Sequence, residues 1–122
     1  MQKFFLVIAA VSGFSATLLG AFGAHGLQHL ISATQLKLFH TALQYHFYHT
    51  IVLLMVALAM FLMTNNWLKY AAASLTTGII LFSGNLYLIS IASLQLPAVI
   101  TPLGGFAFLL GWVLLGIGLL KQ

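Results

Sequence analysis

The chain contains no aspartate, no glutamate, no cysteine and no arginine. The missing carboxylates exclude the most chemistry. General acid–base pairs, two-carboxylate glycoside hydrolysis and Ser-His-Asp triads all need one. So does a proton-coupled transporter built on a membrane-embedded acid. Without cysteine there is no disulfide, no thiolate metal site and no thiol nucleophile, and the redox compartment leaves no trace. Positive charge is confined to Lys3, Lys37, Lys69 and Lys121. These are scattered, whereas a nucleic-acid footprint needs clustered Lys and Arg, so no nucleic-acid partner is expected. The sequence pI near 9.8 reflects absent acids rather than a basic patch. No glycine-rich run leads into the Lys-Ser or Lys-Thr of a phosphate-binding loop. The hydroxyls present have only histidine as an activating base, so no catalytic residues are assigned and the protein is expected not to be an enzyme.

What is present is apolar. Of 122 residues, 62% are hydrophobic and 3% charged, against about a quarter charged in a soluble domain. Four apolar segments stand out: Phe4 to about Ala24; about Leu43 to Met63, with a helical extension back to about Thr34; Leu68 to about Ala92; and about Ala98 to Leu120. Each is long enough for the roughly 20 residues of a helical membrane span. Thr64-Asn65-Asn66 and the stretch from Ser93 to Pro97 read as turns. Short loops make consecutive helices antiparallel neighbours. The expectation is an all-α, single-domain protein over residues 1–122, with four transmembrane helices in an antiparallel bundle. Lys3, the apolar run and Ala21-Phe22-Gly23 have the layout of a secretory signal. The run is longer than a signal core, so the first span is expected to be retained.

With four spans, both termini and the Asn65-Asn66 loop share one side. That side holds Lys3, Lys69 and Lys121, and the other holds only Lys37. Lysine concentrates on the cytoplasmic side, so a multi-pass inner-membrane protein with cytoplasmic termini is expected. A cysteine at Gln122 should then label only from the cytoplasm. Trp67 and Tyr70 would anchor that interface.

Small residues fall on helical stripes. Ala9, Gly13, Ala16, Gly20 and Gly23 step by four and three; Gly104, Gly111 and Gly118 step by seven. In lipid no hydrophobic force joins helices, so close backbone approach at small residues carries association. The first and fourth spans are therefore expected to pack together through Gly13, Gly20, Gly104 and Gly111.

Counting about 1.5 Å per residue across about 30 Å of hydrocarbon places His25 at the outer end of the first helix and His46 near the outer boundary of the second. His49 falls roughly 8 Å deeper, with Asn85 at similar depth and Thr101 opening the fourth helix. These groups form a candidate polar cluster in the outer leaflet. His46 and His49 are three residues apart and share a helix face, flanked by Tyr45. His25 and His29 pair in the same way if that stretch is helical, and His40, Gln44 and Tyr48 form a second row. Histidine pairs at this spacing can ligate zinc, copper or haem. A buried neutral histidine more often bridges hydroxyls, amides or carbonyls across helices, and neutral ligands alone make a poor structural zinc site. No metal and no cofactor are therefore assigned. His25, His49 and Asn85 are expected to meet, because an unpaired polar group in hydrocarbon is costly.

Four motifs carry a resemblance. Leu19 to Leu27 reads LGAFGAHGL, Tyr45 to Thr50 reads YHFYHT, Leu81 to Leu88 reads LFSGNLYL, and Thr101 to Trp112 reads TPLGGFAFLLGW. In this order, across all four spans, they resemble the small inner-membrane family called domain of unknown function 423, itself similar to eukaryotic transmembrane protein 256. The resemblance implies a four-helix membrane protein and supplies no reaction. It matches His25, His49, Gly104 and Gly105, and implies Gln as often as His at position 46.

The first expectation for function is a non-enzymatic interaction, assembly or accessory subunit, surrounded by membrane lipids and joined to a membrane-protein partner or to further copies of itself. The alternatives are a binding or transport module for a lipid- or quinone-like molecule, and a His-ligated haem or copper protein.

Overall fold

The structure, a computed structural model, describes residues 1–121; the labelling position Gln122 lies outside them. Helix α1 spans Gln2–His25, α2 Ala33–Ala59, α3 Asn66–Gly78, α4 Asn85–Ala92 and α5 Ile100–Leu120. A π-helical segment, Ile79–Gly84, joins α3 to α4 without a break, so Asn66–Ala92 forms one continuous span. Four helices are thus long and apolar enough to cross a membrane. No strand occurs among the described residues.

Local chemistry sets the boundaries. The α2 start is a capping box: the Gln35 amide donates to Ser32 Oγ at 3.1 Å and the Ser32 amide to Gln35 Oε1 at 3.0 Å. These bonds satisfy amides that a helix start leaves unpaired. They also extend α2 ten residues before its apolar run. Asn65 caps α3 by accepting the Leu68 amide at 3.2 Å. The third span ends at Ser93, whose left-handed φ of 53° turns the chain out of the helix. Within the spans, Ser15, Thr17, Thr41, Thr76 and Thr77 each return their hydroxyl to the carbonyl four residues earlier. That pairing lets a hydroxyl sit in hydrocarbon unaided.

Polar contacts tie the helix ends. Gln2 Nε2 donates to the Met60 carbonyl at 3.0 Å, and Asn65 Nδ2 to the Gly118 and Lys121 carbonyls at 3.0 and 3.1 Å. At the opposite end Gln35 Nε2 donates to Ser93 Oγ at 2.9 Å. Residues 1–2, 60–65 and 118–121 therefore share one end.

The expected partnership of the first and fourth spans is not what forms. Gly104, Gly111 and Gly118 of α5 face the third span. A Cβ on Gly118 or Gly111 would lie 2.8 Å from the Leu68 or Leu75 side chain, and one on Gly104 would enter the backbone of Leu81–Phe82. The third span answers in kind, because Gly78 makes room for the ring of Phe108. Large residues on each helix thus seat on glycines of the other, in reverse order. The α1 stripe faces α2 instead: Gly23 lies under Phe39, Gly20 near Leu43 and Gly13 near Thr50. A small-residue stripe says that some backbone comes close, not which one. Consecutive elements joined by short connections are usually adjacent in space, and each stripe faces a chain neighbour. Leu53, Val56, Leu68, Ala71, Ala72 and Leu75 fill the core between α2 and α3, with Phe5 of α1 and Phe108 of α5.

Candidate functional site

His46 lies 13 residues from either end of α2. It is therefore at mid-helix, level with Ser12 near the middle of α1. His49 is one turn further along. The two rings engage opposite sides of the molecule.

On the side of α1 and α4, His46 centres a buried hydrogen-bonded chain. Its Nδ1 pairs with Tyr87 Oη at 2.9 Å and its Nε2 with Ser12 Oγ at 3.0 Å; Ser12 Oγ pairs in turn with Thr50 Oγ1 at 2.6 Å. His46, Ser12 and Thr50 are all buried. Either tautomer of a neutral ring completes the chain. With the proton on Nε2, the ring donates to Ser12 and accepts from Tyr87; with it on Nδ1, every direction reverses. The chain ties α1 and α4 to α2. The stripe placed Ser12 between Ala9 and Ala16, which was a readable signal that it faces a helix. Tyr87 carried no such signal.

On the other side, His49 faces α5. Its Nδ1–H donates to the Tyr45 carbonyl at 2.8 Å, which leaves Nε2 as the acceptor of the Trp112 indole N–H at 3.2 Å. Both nitrogens are occupied, and the tautomer is set by a carbonyl that only accepts. The ring stacks on Phe108 at 3.6 Å and 16°, and lies within 14° of parallel to Tyr45. Tyr45 in turn packs on Phe82 at 4.6 Å. Around this stack runs a groove of about 830 Å³. Tyr45, Tyr48, Val52, Phe106, Phe108 and Trp112 line it, with Gly105 and Pro102 from the start of α5. The groove exists because α5 spends its glycine face on the third span. The face it turns to α2 is aromatic, and rings hold the two helices apart. Trp112, four residues after Phe108, was legible as a motif residue but not as a partner of His49.

The expected meeting of His25, His49 and Asn85 does not occur. His25 is exposed in the last turn of α1 and takes part in none of these bonds. His29 is exposed in a separate short 3-10 turn, Leu27–His29, because the helix stops at Gly26. Asn85 is 4% exposed and joins Thr101 instead, Nδ2 donating to Oγ1 at 2.7 Å. Its Oδ1 is buried with no partner among the described residues. Of the second row, Gln44 Nε2 donates to Tyr48 Oη at 2.9 Å, whereas His40 is exposed. The described residues hold no group of three potential metal ligands. His46 and His49 do not converge on a common point, since each uses both nitrogens on different neighbours.

A family profile described as "Protein of unknown function (DUF423)" matches residues 19–105. The UPF0382 inner membrane protein YgdD of Escherichia coli K12 is 40% identical over 120 residues, covering 98% of this chain and 92% of the relative. A UPF0382 membrane protein of Haemophilus influenzae is 41% identical over 122 residues, covering 100% and 98%. The UPF0382 membrane protein YwdK of Bacillus subtilis is 38% identical over 127 residues, covering 98% of each. No solved structure matches the chain. The resemblance carried by the four motifs is borne out.

Proposed function

The chain belongs to the DUF423 family of small integral membrane proteins, and from that premise we propose that it is a non-enzymatic binding module for a small apolar membrane molecule. One observation carries this: a lateral groove of about 830 Å³, lined with aromatic side chains, with a hydrogen-bonded His49–Trp112 pair in its wall. Small-molecule sites are typically apolar clefts of this size with a few placed polar groups. The accessory-subunit reading rests on short loops, scarce charge and the glycine stripes, and helices of this same chain pack along both stripes. Nothing comparable to the groove supports it.

Bromohexadecane, whose bromine quenches tryptophan on contact, tests the groove. In a Trp67→Phe background Trp112 is the only tryptophan. Quenching should saturate in detergent micelles at constant probe-to-detergent range. Gly105→Leu should remove the saturable part while leaving the fold intact. A Cβ there meets only Phe82 at 4.0 Å, and the longer side chain fills the groove rather than the helix seam. Quenching that rises linearly in both proteins would end the binding reading.

For orientation, we propose cytoplasmic termini. Lys3, Lys69 and Lys121 lie in or beside the end defined by residues 1–2, 60–65 and 118–121, and that bias is the supporting argument. Thr64→Cys should label only from the cytoplasm and Gln95→Cys only from outside; both positions are exposed. The reverse pattern would invert the protein.

A further inference from the structure

Within that binding reading, on which the following rests, we propose that the occupant carries a neutral hydroxyl on a planar ring with an apolar tail, a phenol or quinol, seated between Trp112 Nε1 and His49 Nε2.

Depth and charge narrow the ligand first. Trp112 is two residues past the middle of α5, and His49 three past the middle of α2. At about 1.5 Å per residue both lie within about 5 Å of the helix midpoints. No lysine lines the groove. A carboxylate or phosphate would sit uncompensated at the depth where charge is most costly. Ionised carboxylates and phosphates are therefore excluded, and the polar group must be neutral.

Hydrogen-bond arithmetic narrows it further. His49 Nδ1–H is committed to the Tyr45 carbonyl, so Nε2 has one lone pair and no proton. Trp112 Nε1 is a donor only. At 3.2 Å the two satisfy each other, and a ligand entering between them must satisfy both or leave one unpaired in hydrocarbon. A hydroxyl does both: its hydrogen goes to Nε2 and its oxygen accepts from the indole. A carbonyl or an ether accepts from Trp112 but leaves Nε2 bare. The ring requirement comes from the walls. Tyr45, His49 and Phe108 lie within 29° of parallel to one another. Phe82, Phe106 and Trp112 join them in lining the groove, and aromatic walls favour a ring that can pack offset or edge-on against them.

The test is displacement of bromohexadecane from the Trp67→Phe protein by three tailed compounds. para-Nonylphenol has both the ring and the hydroxyl, para-nonylanisole has the ring with an acceptor alone, and para-nonylcyclohexanol has the hydroxyl without the planar ring. The phenol should displace at about tenfold lower concentration than the anisole, the worth of one hydrogen bond to a buried acceptor. It should also outcompete the cyclohexanol. His49→Phe keeps an aromatic ring on Phe108 and should erase the difference between phenol and anisole. Equal displacement by phenol and anisole from the His49 protein overturns the hydroxyl assignment, whether or not the variant folds. Equal displacement by phenol and cyclohexanol overturns the ring. In either case saturable bromohexadecane binding would leave the binding reading standing, and its absence would remove the reading itself.

Discussion

Gly104→Ala should destabilise the protein far more than the same change at Gly116 on the same helix. At Gly104 the new methyl meets the main chain of Leu81–Phe82, with Leu81 C and Phe82 Cα at 2.8 Å. Main-chain atoms cannot rotate aside, so α5 must move away from the π-helical segment. That movement would also loosen Leu75 from Gly111 and Leu68 from Gly118, since one rigid helix carries all three glycines. Overpacking a tight core costs about 1–3 kcal/mol, and the coupled seam places this change at the upper end. At Gly116 nothing lies within 4 Å, so alanine should be neutral. At Gly20 the nearest atom is Leu43 Cδ2 at 3.6 Å, an ordinary contact, and alanine should again be tolerated. Thermal unfolding in one detergent, followed by size-exclusion chromatography of heated samples, compares the three. Equal midpoints for Gly104→Ala and Gly116→Ala would mean that α5 does not lie against the third span through its glycine face.

His46→Ala is the second large effect. The change leaves Tyr87 Oη and one side of Ser12 Oγ without partners, and it empties a ring-sized volume at the meeting of α1, α2 and α4. Single interhelical hydrogen bonds in membranes average only about 0.6 kcal/mol, because the unfolded chain in lipid also finds partners. The cavity and the orphaned groups matter more, at about 2–4 kcal/mol together. His46→Gln retains one donor and one acceptor and should recover most of the loss. His40→Ala, on an exposed position of the same helix, should change nothing. The comparison again uses the unfolding midpoint. A midpoint for His46→Ala equal to that of the unsubstituted protein would show that neither the ring's volume nor its pairing holds the site together.

The two tests bear on different parts of what could be read without coordinates. The stripe of Gly104, Gly111 and Gly118 was visible as a packing face, and so was its value to helix association. Its partner was not, because a glycine records the closeness of a neighbour and carries no mark of identity. Gly78, which receives Phe108, lies on no stripe and was missed. The histidines show the same division. His46 and His49 were legible as buried polar residues three apart on one helix. That spacing put them on a common face, yet a face is wide enough for adjacent rings to point to different neighbours. Ser12 and Tyr87 took one ring, and Trp112 the other.

By itself the sequence determined the environment and the elements. Four apolar runs with no acid and four lysines have no other stable solvent than a bilayer, and a backbone there must pair internally, which makes the runs helices. It also determined the family, through motifs spread over all four spans. Only the tertiary structure decided which faces meet, which polar groups pair and where a groove is left open. The level of His46 was decided by its partners, because Ser12 near the middle of α1 and Tyr87 of α4 take its two ring nitrogens. The groove depended on α5 committing its glycines to the third span and its rings to α2. Both outcomes come from competition among neighbours for the same surfaces, and a helix read alone contains only one side of that competition.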